Sequence, residues 1–125
     1  DSAGEPVARA TGANAYQVAQ LFADTKLAGK PVRLAARVVK VTSGVLDRTW
    51  LHVRDGSGTA AKKDHDLVVT TTASARVGDV VLIEGSVTRD RDIGSGYRYD
   101  VIIENATVTV QNGAKKTASN TTSAQ

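Results

Sequence analysis

Arg48-Thr49-Trp50-Leu51-His52-Val53-Arg54 is the stretch on which the fold turns. Taken as a strand of period two, Thr49, Leu51 and Val53 point one way, and Arg48, Trp50, His52 and Arg54 point the other. The first set suits a core. The second is a basic stripe with an aromatic in it, which suits a nucleic-acid strand better than plain solvent. Aromatics are also favoured in strands for packing alone, so Trp50 carries two readings, one of packing and one of ligand contact.

Working outward, four more strand-like runs surround this one. Strand one spans roughly Pro31–Ser43. Its alternation drifts, with Val32, Leu34, Ala36 and Val38 in one series and Val39 and Val41 in the other. A switch of phase inside a long strand predicts a bulge or sharp bend. Asp55-Gly56-Ser57-Gly58 reads as a turn and Thr59–Asp64 as a polar loop. Strand three is expected over about Asp66–Ala73. Val77-Gly78-Asp79 turns the chain into strand four, about Val80–Asp90. Arg91–Gly96 reads as a Gly-rich hairpin loop, and strand five runs about Tyr97–Val110. Before the strands, Asn14 is placed to cap a helix over about 15–26, with Val18, Leu21 and Phe22 on one face and Gly29 as its terminator. Residues 1–13 read as an extended polar arm and 111–125 as a polar, low-complexity tail. Neither has the apolar surface to fold alone, which makes self-association through the termini a natural expectation.

The chain has 125 residues, enough for one domain with one core. No apolar run reaches the roughly 18 residues of a membrane span. Cysteine is absent, which excludes a disulfide framework, a thiolate metal site and a Cys nucleophile. The first residue is Asp1 and not Met, as in a mature form left after removal of a signal peptide, so export to the periplasm or beyond is expected. Net charge is +3, and between Lys30 and Val110 there are 12 Lys/Arg against 10 Asp/Glu. A basic surface must therefore come from placement rather than from excess charge.

Five strands with a bent first strand, a turn-rich middle and a long hairpin between strands four and five describe an OB-fold. Arg37-Val38-Val39-Lys40-Val41, Arg48–Gly58, Asp66–Thr71, Val77–Val81, Asp92–Tyr99 and Ile103–Ala106 resemble a bacterial exported OB-fold family. Trp-Leu-His-Val-x-Asp-Gly-x-Gly and Gly-x-Gly-Tyr-x-Tyr are the most specific segments, and the resemblance covers about 14–108. Members look like small periplasmic or extracellular proteins classed as nucleic-acid-binding by fold, and some resemble accessory proteins found beside multihaem cytochrome systems. The resemblance implies an all-β chain with one N-terminal helix, a five-stranded Greek-key barrel and extended polar termini. The domain is expected over 14–110. The helix precedes the barrel, because Ser74–Gly78 is too short to hold one in the usual place between strands three and four.

OB-folds commonly take ligands across strands two and three, between the loops joining strands one and two and strands four and five. Mapped here, the expected nucleic-acid-binding residues are Arg48, Trp50, His52, Arg54, Arg89, Arg91, Tyr97, Arg98 and Tyr99. Trp50, Tyr97 and Tyr99 would stack bases, and the arginines would meet phosphates. Against this, Arg89-Asp90-Arg91-Asp92 alternates in sign as a solvated hairpin does, and Asp47, Asp90 and Asp92 would repel phosphate.

No metal is expected, because adjacent side chains of Asp64-His65-Asp66 diverge on a strand. No cofactor loop of Gly-Lys-Ser/Thr type occurs. Catalysis is not expected: there is no Gly-x-Ser-x-Gly, and Asp55-Gly56-Ser57-Gly58 reads as a turn without a helix beside it. Asn105-Ala106-Thr107 and Asn120-Thr121-Thr122 match glycosylation sequons, the first within an expected strand. The leading expectation is an exported, non-catalytic module that binds nucleic acid, single-stranded or duplex DNA, through backbone charge and stacking. The alternative is a structural or adaptor protein that builds a filament or complex through its termini and strand edges.

Overall fold

The structure, a computed structural model, describes residues 4–111. Most of the expected 111–125 tail, with the second sequon, lies outside them. The elements in chain order are helix α1 (Val18–Ala23), a 3-10 turn (Thr25–Leu27), β1 (Pro31–Val45), β2 (Arg48–Arg54), β3 (Leu67–Thr71), β4 (Val80–Gly94), β5 (Tyr97–Ile103) and β6 (Thr107–Val110). No helix among the described residues is long and apolar enough to cross a membrane.

Five strands close on themselves in the order β1-β2-β3-β5-β4, with β4 returning to β1. All neighbours are antiparallel except β3 and β5, which run parallel through Val68↔Ile102 and Val69↔Ile103. Closure depends on two long strands that change partner along their length. Pro31–Arg37 of β1 pairs with β4, and Arg37–Val45 pairs with β2. The register slips between Val38 and Lys40, at the place where the alternation changes phase. In β4 the change of partner falls near Gly85. A Cβ there would come within 2.7 Å of the Ile103 side chain, so only glycine lets β5 pass this close.

The inward series of each strand fills one core: Leu34 and Val38 of β1, Leu51 and Val53 of β2, Leu67 and Val69 of β3, Ile83 of β4 and Ile103 of β5. Val18 and Leu21 of α1 and Leu27 of the 3-10 turn are buried in it too, so the short helix covers the ring by its apolar face.

Three expectations change. The helix is six residues and not about 15–26. Ala15 bridges to Arg33 as a strand would, and Tyr16 N–H donates to the Arg33 carbonyl at 2.9 Å, which leaves that segment extended. Asn14 therefore caps nothing. Strand four continues through Arg91–Gly94, and the hairpin loop shrinks to Ser95-Gly96, both with positive φ. Two φ > 0 residues match the right-handed twist of the flanking strands. Strand five stops at Ile103, and Asn105, left-handed at φ 56°, diverts the chain so that β6 pairs with β4 instead. Among the described residues there are thus six strands, the expected five in the closed ring and β6 added at the edge of β4.

The arm also differs from a free extended segment. Val7 N–H donates to the Asp55 carbonyl at 3.1 Å, and Pro6 lies against Gly56. Gly56 has φ 90°, and a Cβ on it would sit 2.6 Å from Pro6 Cα, so the turn accepts the arm only because it carries no side chain.

Candidate nucleic-acid interface

Strand β2 has two faces, as its alternation predicts. Leu51 and Val53 belong to the main core, while Trp50 packs on the other face in a second cluster with Val68 and Ile102, flanked by Ile93 and Tyr99. Trp50 is 9% exposed. Its indole N–H donates to the Val45 carbonyl at 2.9 Å, and its ring centroid is 6.0 Å from that of Tyr99. Both readings of Trp50 thus meet in one place: most of the ring is packed, and one side borders a groove.

That groove encloses about 400 Å³. Its wall comes from Lys40, Thr42 and Val45 on β1, Trp50 and His52 on β2, Ile93 on β4, and Tyr97 and Tyr99 on β5. Two hairpins form its flanks. The β4–β5 hairpin carries Tyr97, 62% exposed, next to its Ser95-Gly96 turn. The β1–β2 hairpin turns at Leu46 and Asp47, with φ 54° and 60°. This turn geometry favours Asn-Gly or Asp-Gly, and a leucine in the left-handed region is strained. Leu46 is nonetheless 64% exposed, so packing does not hold it there.

Of the nine expected residues, Trp50, His52, Tyr97 and Tyr99 line the groove. The five arginines do not, and each has partners within the chain. Arg48 Nε donates to the Asn105 side chain and its Nη1 to the Leu46 carbonyl. Arg54 Nε donates to Asp66 Oδ1 at 2.8 Å. Arg89 donates to the carbonyls of Leu21 and Phe22 at 2.9 and 3.2 Å. These lie in the last turn of α1, where a cation meets the negative end of the helix. Arg91 Nε donates to Glu104 Oε1 at 2.8 Å, and that hydrogen bond raises its pKa further above the ordinary arginine value. Arg98 stands 3.8 Å from Asp90, a long and exposed pair.

Asp66 is the hub beside the groove. Its Oδ2 is 2.7 Å from His52 Nδ1, and its Oδ1 accepts from Arg54. Burial pushes the carboxyl up. The hydrogen bonds from His52 and Arg54 and their charge outweigh this, and hold Asp66 below the usual carboxylate value. Asp64 serves a different network, accepting from Thr59 N–H at 2.8 Å. No three His, Cys, Asp or Glu gather as a metal site among the described residues.

Two features escaped sequence reasoning. One is Lys40, exposed and opposite His52 in the β1–β2 register; the change of phase after Val38 was the signal for it. The other is Asp55-Gly56-Ser57. This turn sits beneath the N-terminus of α1, contrary to its expected isolation from any helix. Asp55 Oδ2 accepts from Val18 N–H at 2.8 Å, and Ser57 Oγ accepts from Ala19 N–H at 3.0 Å. Nothing local announces a cap from another element.

No protein-family model matches the chain, and no curated protein matches it.

Proposed function

We propose that the chain is an exported, non-catalytic OB-fold module that binds nucleic acid through unpaired bases. The ring order β1-β2-β3-β5-β4 with its parallel β3–β5 closure and bent β1 supports the OB-fold. The observation that carries the function is the groove itself. Three aromatic rings, Trp50, Tyr97 and Tyr99, gather across β2 between two projecting hairpins. Every base has a π-face, so an aromatic wall takes single strands of any sequence, at about 1–3 kcal/mol for each stacked base. A duplex keeps its base faces inside the stack and presents phosphates, for which this groove offers few cations.

Fluorescence anisotropy with a labelled single strand and its duplex tests the proposal. Wild-type protein should prefer the single strand, and Tyr97→Ala should weaken it. Equal affinity for both forms, or indifference to Tyr97→Ala, would remove the stacking function.

A second reading, of assembly, draws on β6. It pairs with β4 on one side and with no strand on the other among the described residues, and its Thr-Val-Thr-Val carries no charge. Open edges of this kind accept a further strand. Sedimentation of wild-type protein and of Thr109→Lys, a charge placed on that edge at an exposed position, checks it: a larger particle that Thr109→Lys dissolves supports assembly, and a monomer in both cases dismisses it.

A further inference from the structure

We infer that the groove meets an anionic strand through Lys40, with His52 beside it on the wall, and not through Arg48, Arg54, Arg89 or Arg91. The inference rests on the nucleic-acid reading of the groove and assigns its anion contacts. Lys40 and His52 are partners in the β1–β2 register. Directly opposed residues stand roughly 4.5–5.5 Å apart at Cβ, so the two side chains share one spot on the groove wall. Lys40 is exposed and makes no ion pair among the described residues. Arg48, Arg54, Arg89 and Arg91 each hold partners within the chain and are absent from the wall.

Around this spot stand Lys40 from β1, Arg54 from β2, Asp66 at the entrance to β3, and the phenols of Tyr97 and Tyr99 from β5; β4 supplies the apolar Ile93. Arg54 and Asp66 pair with each other, so Lys40 is the cation of the wall that no carboxylate holds among the described residues.

Counterion release turns this into a measurement. Each phosphate neutralised on a single strand contributes about −0.7 to the slope of log affinity against log salt. A slope of about −0.7 is expected for one such contact, with a labelled oligothymidylate as the probe. Lys40→Gln should flatten the slope. The assignment is overturned if Lys40→Gln keeps the wild-type slope, or if Arg48→Gln or Arg91→Gln flattens it instead. Absence of binding by wild-type protein overturns the nucleic-acid function itself, an outcome distinct from binding whose slope ignores Lys40.

Discussion

Asp55, beneath the helix, and Asp66, beside the groove, do related work in differently built surroundings. Asp55 is 3% exposed, and its carboxylate takes Val18 N–H, Ser57 N–H and the Ser57 hydroxyl. All of its partners are fixed by the backbone or by the turn itself. Asp66 is half-buried and takes the ends of two side chains, His52 and Arg54, one of which lines the groove. The helix side is closed: the turn and Arg89 satisfy both ends of α1 from other elements, and the arm lies against the turn. The groove side leaves Leu46 and Tyr97 in solvent and a lysine without an ion pair among the described residues. A domain of this size satisfies its polar groups where stability depends on them, and leaves apolar surface open where another molecule would cover it.

The largest effect should come from breaking the closed side. Asp55→Ala removes a buried acceptor from the first N–H of α1 and from Ser57. Hydrogen bonds to a charged group contribute about 1.5–3 kcal/mol, so a loss of about 3 kcal/mol is expected in urea or thermal unfolding. Groove affinity, measured where the variant is still folded, should be unchanged. A weakened groove would show that the two sides are coupled.

The open side should respond in the opposite manner. Tyr97→Ala truncates an exposed ring, and surface changes of this kind stay within about 0.5 kcal/mol of wild-type stability. Its effect belongs to binding, with about 1–3 kcal/mol of affinity lost for one stacked base. Trp50→Ala is the less clean test, because a 9% exposed indole is also packing and its truncation costs about 3–5 kcal/mol of stability.

How far each side was legible in the sequence follows from the range of the forces that build it. Strand β2 was read to the residue, because alternation is local and Leu51 and Val53 are apolar where Trp50, His52 and Arg54 are not. The bend in β1 was legible as a change of phase after Val38. The extension of β4 through Arg91–Gly94 was not. Alternating charges look like a solvated loop, and only pairing with β5 reveals the strand. The end of β5 was marked by Asn105, a residue tolerant of left-handed backbone, but a single Asn is too common to break a strand on sight. The groove aromatics were found because a fold expectation named the strands that carry them. The roles of the arginines were not, because Arg89 finds α1 across 68 residues of chain and Arg48 finds Asn105 across 57. Partners at such distances leave no periodic trace.

Leu46→Asn gives a smaller effect than either truncation and one of opposite sign. Asn accepts the left-handed conformation that Leu46 holds at φ 54°, whereas left-handed backbone costs other L-residues roughly 1–2 kcal/mol. A gain of about 0.5–1 kcal/mol in stability is expected. If Leu46 covers ligand at the groove's rim, the same variant binds more weakly, and the two measurements move in opposite directions. A gain in stability with affinity untouched would leave Leu46 outside the interface and narrow the groove to its aromatic wall.

The smallest effect is in acid, and it separates the two aspartates by their partners. The folded pKa of Asp66 is lowered, so the carboxylate contributes stability above its unfolded value of about 3.8. That contribution is lost as pH falls from there through the lower folded value, and is intact at neutral pH. Asp66→Asn should therefore flatten the dependence of stability on pH below about 4 and leave the Asp55 network in place.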